Sequence, residues 1–133
     1  MSKLLLSRVP EGVRLHHMAD QLASFCPRYH RAIELIGRRW TGAVIRVLLG
    51  GRARYHELRD AVPDISDRML AERLRELEQE GVIDRVVVPE TPVRVEYELT
   101  DKGRALEPVV RAIAAWAERW LDADSGQRAA ASR

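Results

Sequence analysis

One stretch, residues 55–80 (YHELRDAVPDISDRMLAERLRELEQE), constrains this chain more than any other. It reads as two helices with a break at Pro63-Asp64. The first, from Tyr55 to about Val62, is too short to be stable alone. The second opens at Ser66, a residue suited to an N-cap, with Asp67 in the first turn to complement the helix dipole. Gly81 follows as a natural helix stop. At about 100° per residue, Leu70, Leu74 and Leu77 form one apolar stripe, while Arg68, Glu72, Arg75 and Gln79 point the other way. Met69 and Arg73 fall on the flanks. A short helix, a tight turn and a longer helix with an Arg-bearing outer face is the helix-turn-helix pattern. Its bland counterpart is a helical hairpin with a solvated charged face.

The following segments separate the two readings. Residues 82–88 are β-branched and apolar, which predicts a strand. PETP at 89–92 is turn chemistry. Arg94–Leu99 (RVEYEL) alternates polar and apolar residues, the mark of a half-exposed strand. A hairpin directly after the second helix makes a winged helix. The expected fold is therefore mainly α with a small β-hairpin: a winged helix-turn-helix with N- and C-terminal dimerisation helices.

Those terminal helices come from the flanks. Residues 1–10 read as an arm, and residues 11–25 as a helix with a narrow seam of Leu15, Met18, Leu22 and Phe25. Cys26-Pro27 breaks it. A helix over 28–37 follows, with Ile33 and Ile36 inward and Gly37 as its stop. Trp40 opens another helix, ended by Gly50-Gly51. At the other end, Thr100 caps a helix that runs to about Asp122, with Leu106, Val110, Ile113, Ala117 and Trp120 as its stripe. Val109, Trp116 and Leu121 widen the stripe, and Pro108 is expected to kink the helix or leave an unpaired carbonyl near Arg104. Two seams this apolar exceed what one small winged helix can cover, which predicts a homodimer. The alternative is that they cover each other within one chain. The expected partition is 1–25 for dimerisation, 26–100 for the winged helix, 101–124 for dimerisation and 125–133 as a disordered tail.

Composition narrows the function. A length of 133 residues suits one domain, and 46% hydrophobic residues suffice for a core. Net charge is only +2, but its distribution is uneven. All 22 basic residues except Lys3 and Lys102 are Arg. Between Cys26 and Arg59, Arg28, Arg31, Arg38, Arg39, Arg46, Arg52, Arg54 and Arg59 face only Glu34 and Glu57, an excess that suits a phosphate backbone. A single cysteine excludes an intramolecular disulfide and a Cys-based zinc site. No apolar run approaches membrane-spanning length, and residues 1–6 are too short for a signal peptide, so a cytoplasmic protein without a membrane partner is expected. His16, His17 and Asp20 have a metal-binding spacing but equally suit a polar helix face, and neither a metal nor a cofactor is assigned. Cys26 and His30 are spaced as a thiolate pair, yet no third group or oxyanion device accompanies them, and there is no Gly-rich phosphate loop. The chain is not expected to be an enzyme.

Three runs together resemble the HxlR family of winged-helix transcriptional regulators over about residues 26–121: CPRYHRAIELIGRRWTGAVIRVLLGG, YHELRDAVPDISDRMLAERLRELEQEGVIDR and PETPVRVEYELTDKGRAL. The resemblance rests on Cys-Pro before a helix, Trp after a Gly-Arg-Arg turn, the pattern IS-x-x-x-L-x-x-RL-x-x-L-E, and a PRVEY-like wing. Here the wing reads Pro92-Val93-Arg94-Val95-Glu96-Tyr97, with Val93 inserted. The resemblance implies a homodimeric bacterial regulator of double-stranded operator DNA. Its recognition helix (66–80) would enter a major groove and its wing (83–99) would reach the adjacent backbone or minor groove. Position by position it implies DNA contacts at Ser66, Arg68, Met69, Glu72 and Arg73, and Arg94 at the wing. The residue reading agrees on Arg68 and Glu72 and puts Arg73 nearer phosphate than a base edge. It adds Arg54 and His56 at the start of the short helix, although His56 stands where the family often has Ser or Asn. A winged helix that binds only protein is the alternative, and the Arg excess speaks against it.

Two further features bear on a signal. Cys26 precedes a helix N-terminus, with Arg28, His30 and Arg31 in the next turn, all favouring thiolate. The resemblance implies that a cysteine here serves some members as a redox or electrophile switch; the bland reading is packing. Trp40, Trp116 and Trp120 either line a small-molecule pocket or anchor the core and dimer interface.

Overall fold

The computed structural model describes residues 24–123. The chain divides into two compact units, Met1–Ile36 and Gly37–Arg133. The expected helix at 11–25 lies outside the described residues except for its last two positions. So do His16, His17, Asp20 and the tail.

In the first unit, helix α1 (Pro27–Ile36) begins at Pro27, whose fixed φ and missing N–H suit a first helical turn. The His30 N–H closes on the Cys26 carbonyl at 3.0 Å. None of its residues is buried. Ile33, expected inward, is 50% exposed, and Phe25 and Tyr29 at the same four-residue spacing are exposed too. Periodicity identifies a shared face; it does not supply a cover for it.

The second unit contains α2 (Thr41–Leu49), β1 (Ala53–Arg54), α3 (Tyr55–Ala61), α4 (Asp67–Gln79), β2 (Ile83–Val88), β3 (Arg94–Leu99), α5 (Asp101–Arg104) and α6 (Glu107–Trp120). Its core is built from Val44 and Ile45 of α2, Leu58 of α3, Leu70, Leu74 and Leu77 of α4, Val82 and Ile83, all essentially inaccessible. Burying each such side chain contributes about 1.5–3 kcal/mol. The Leu stripe of the second helix thus becomes the contact between α4 and the rest of the domain. Val62 and Ile65 are buried on either side of the turn at Pro63, and Asp64 takes the left-handed backbone (φ 67°) that the turn requires.

The sheet is three-stranded and antiparallel, in the order β1-β3-β2. The hairpin pairs Ile83 with Leu99 and Val88 with Arg94, and β1 adds Ala53 opposite Tyr97 and Arg54 opposite Glu96. The two-residue β1 is not evident in the sequence, because two residues carry no periodicity. It forms because the outer edge of β3 offers backbone partners just before α3 begins.

The end of α4 is tied to the start of α5. Gly81 is left-handed (φ 72°). Thr100 caps α5 by accepting from the Gly103 N–H at 3.1 Å, and its hydroxyl donates to the Gly81 carbonyl at 2.6 Å. Lys102 donates to the Glu80 carbonyl, a favourable cation at a helix C-terminus.

One expectation about the C-terminal helix is corrected. Pro108 does not kink one long helix: there are two helices, and Pro108 stands in the first turn of the second. A proline there loses no intrahelical bond, whereas in mid-helix it would clash with the carbonyl of Arg104. Only part of the expected stripe is covered within one chain. Val110 is buried and Leu106, Ala114 and Ala117 are half-buried. Ile113 and Trp120, expected in the stripe, join Val109, Trp116 and Leu121 on an exposed face. Here α6 packs on α2 through small side chains, and its bulky ones face outward.

Candidate nucleic-acid interface

The N-terminus of α4 is held from two sides. Ser66 Oγ accepts the Met69 N–H at 3.1 Å, the N-cap that the sequence suggests. From α3, the Tyr55 hydroxyl donates to the Asp67 carbonyl at 2.8 Å, and Arg59 Nη1 stands 3.5 Å from Asp67 Oδ1. Burial, reinforced by the charge of Asp67, pushes the Tyr55 phenol above its ordinary value, so it remains a hydrogen-bond donor. The two helices of the motif are thus locked at the end that a DNA groove would meet.

On the outer face, Arg68 is 89% exposed, and its Nε lies 3.4 Å from Glu72 Oε1. That i,i+4 pair is weak and solvated. Met69 is half-buried, while Ser66 and Arg75 are exposed. Arg75, two turns beyond Arg68, is a candidate contact left out of the expected set although the periodicity placed it on the same face.

Arg73 is a correction. Its side chain is 7% exposed, with Nε donating to the Arg39 carbonyl at 2.9 Å and Nη1 to Glu76 at 3.0 and 3.2 Å. Arg38 joins Glu76 from the other side at 3.3 Å. The guanidinium therefore braces α4 against the turn before α2 and is not presented to a phosphate. Helical periodicity places it on a flank; only the packed turn at Arg39 makes that flank interior.

The wing brings together residues from distant parts of the sequence. Arg54, Tyr55 and His56 face Glu90, Thr91, Pro92, Val93, Arg94 and Val95 across an open cleft of about 440 Å³. The Arg54 N–H donates to Glu57 Oε1 at 3.0 Å, which starts α3 and leaves the guanidinium at the cleft. Arg94 is half-buried, with Nε 3.0 Å from Glu96 and Nη2 3.4 Å from Glu90. Just before β1, Arg52 reaches Glu98 at 2.7 Å and Glu96 at 3.7 Å. The hydrogen bond to Glu98 raises the already high pKa of Arg52, so it is a permanent cation. Arg52 is absent from the expected set; it is a cross-strand brace that acts through the wing's charge ladder.

Cys26 is a free, exposed thiol at the start of α1. Trp40 is half-buried in a left-handed N-cap (φ 77°), with Arg39 over its ring at 4.9 Å. Trp116 and Trp120 are exposed on α6, and Arg119 covers Trp120 at 5.1 Å. Neither the wing cleft nor a second cleft of about 330 Å³ between α2 and α6 has a Trp in its wall. Among the described residues, no three His, Cys, Asp or Glu are grouped to hold a metal ion, and no helix is long and apolar enough to cross a membrane.

Comparison with known proteins agrees with this geometry. The uncharacterised HTH-type transcriptional regulator YvaP of Bacillus subtilis (strain 168) is 48% identical over 100 residues, covering 75% of this chain and 93% of YvaP. The HTH-type transcriptional regulator YodB of the same organism is 46% identical over 99 residues, covering 74% of this chain and 88% of YodB. The reduced form of YodB superposes with a TM-score of 0.68 over 74% of this chain and 97% of that one, at 46% identity. The redox regulator HypR in its oxidised form gives 0.68 over 73% and 99%, at 39% identity. These relatives are transcriptional regulators, not enzymes, and they favour DNA binding over a protein-only interaction module. Since the HxlR-like helix-turn-helix pattern matches residues 35–125, the chain belongs to the HxlR-like helix-turn-helix family of transcriptional regulators.

Proposed function

We propose that the protein acts in the cytoplasm as a homodimer on a pseudo-palindromic operator. Each α4 enters a major groove with Arg68 and Glu72 toward base edges and Ser66 and Met69 beside them. Each wing lays Arg94 on the neighbouring backbone or minor groove, with Arg54 and His56 on a phosphate. The observation that carries this reading is the cleft that joins Arg54 and His56 to Arg94, with Tyr55 in its wall hydrogen-bonded to Asp67 in the first turn of α4. The exposed Val109, Ile113, Trp116 and Trp120 of α6 and Leu121 just after it support a dimer, since an apolar face of this extent is the usual mark of an interface.

The half-sites should lie about one helical turn apart, roughly 10 bp centre to centre. Arg68→Ala should cost on the order of 1–3 kcal/mol on operator DNA and relax specificity. Arg94→Ala should weaken operator and random DNA alike and flatten the salt dependence by about one phosphate contact. Footprinting and salt titration test both; equal losses on both DNAs for both variants reject the division of roles.

The signal we propose is thiol-reactive and acts at Cys26. YodB has been solved reduced, diamide-treated and quinone-bound, and HypR both oxidised and reduced. An exposed thiol at Cys26 suits the same chemistry. Two Cys26 thiols, one per protomer, can be oxidised to an intersubunit disulfide while diamide is reduced to the hydrazine, or a quinone can add to the sulfur as a thioether. Diamide or a quinone should lower the operator affinity of the wild type and leave Cys26→Ser bound. Retention of the oxidised wild type, or equal release of both, excludes Cys26 as the switch.

A further inference from the structure

The wing arginine is held between two carboxylates of different character. Glu96, in the middle of β3, is 16% exposed, stands opposite Arg54 in the sheet and also faces Arg52. Its Oε1 is 3.0 Å from Arg94 Nε, but Nε has no aligned hydrogen-bond acceptor, so the contact is chiefly Coulombic. Glu90, in the loop before β3, is 52% exposed and reaches Nη2 of the same guanidinium at 3.4 Å. Glu90 lines the cleft shared with Arg54 and His56, whereas Glu96 does not. One carboxylate is therefore fixed behind the arginine, and the other occupies the space in front of it.

We propose that Glu90 is a built-in competitor for the DNA phosphate. It occupies Arg94 in the free protein and is displaced when the backbone enters the cleft. Glu96 is the positioning residue that keeps the guanidinium there in both states. The inference rests on the proposed role of Arg94 as a backbone contact. It follows from charge and exposure: an arginine pre-neutralised by an exposed carboxylate gains less from a phosphate than a bare one, because one anion is exchanged for another. The Glu90 carboxylate must also leave a cleft that the phosphate makes negative. The wing would thus limit affinity for DNA of any sequence and leave discrimination to the recognition helix.

The two carboxylates predict opposite signs. Glu90→Gln should tighten binding to operator and random DNA roughly three- to tenfold at low salt and leave the log–log salt slope close to that of the wild type, because Arg94 neutralises the same phosphate in both complexes. Glu96→Gln also removes a negative charge, yet it should weaken binding and flatten the slope, because Arg94 loses its support. A purely electrostatic role would make both variants bind more tightly. The deciding measurement is Glu90→Gln in an Arg94→Ala background, by fluorescence anisotropy across a salt series. The tightening should vanish there. If it persists in full, Glu90 merely repels DNA and the competitor is overturned. If Arg94→Ala weakens binding while Glu90→Gln changes nothing, the inference fails and the wing contact stands. If Arg94→Ala has no effect on either DNA, the wing reading itself fails.

Discussion

Replacing Gly103 by alanine is expected to lower the unfolding free energy by about 3 kcal/mol, the upper part of the range for overpacking. A Cβ at this position would lie 2.1 Å from the Val82 carbonyl oxygen and 2.9 Å from Leu99 Cδ2. The first of these is backbone and cannot rotate away. The carbonyl is fixed further, because it accepts the Thr100 N–H at 3.1 Å across the end of the hairpin. Relief would require moving α5 off the sheet and loosening the Thr100 cap, which also holds the end of the recognition helix. Thermal unfolding at fixed protein concentration should show a fall of about 10 °C or more. DNA affinity should fall with it, since the end of α4 is no longer positioned. A Gly103→Ala protein as stable as wild type would mean that α5 does not approach Val82 as described.

Arg73→Ala is expected to destabilise by about 2–4 kcal/mol, the lower side of what breaking a buried charged network costs. The substitution removes the donor to the Arg39 carbonyl, which joins residues 34 apart in sequence, and leaves Glu76 with Arg38 as its remaining described ion-pair partner. The turn it braces is already unfavourable, with Trp40 in the left-handed region, where a bulky non-glycine residue costs on the order of 1–3 kcal/mol. Arg73→Lys should recover only part of the loss, because an ammonium cannot span the carbonyl and the carboxylate as a guanidinium does. Denaturant titration gives the stability, and DNA binding under conditions where the variant is folded gives the interface. Specificity per folded molecule should be unchanged. Normal stability combined with a loss of DNA binding would return Arg73 to the phosphate backbone.

Much of the domain is legible in the chain because its signals are local. Leu70, Leu74 and Leu77 mark the buried stripe of α4, and Ser66 marks its cap. Gly81 and the alternation of Arg94–Leu99 mark the next turn and strand. Each depends on a side chain's relation to its own backbone, so a sequence contains all the information needed. The resemblance in the HTH and wing motifs points to the same architecture by another route.

What the tertiary structure alone decides is where distant segments meet. Periodicity puts Arg68 on the outer face of α4 and Arg73 on a flank, but it cannot tell that the turn at Arg39 packs over that flank and buries it. Nothing in Ala53–Arg54 predicts a strand, because its partner is the edge of β3 more than forty residues later. The same pairing sets Arg54 opposite Glu96 and draws Arg52, Glu96, Glu98, Arg94 and Glu90 into one charge ladder. Which part of the α6 stripe is covered within one chain is likewise decided by contact: Val110 is buried and Ala114 half-buried, while Trp116 and Trp120 are exposed. Periodicity assigns residues to faces. Which face is covered, and by which charge, depends on packing between parts of the chain that the sequence keeps far apart.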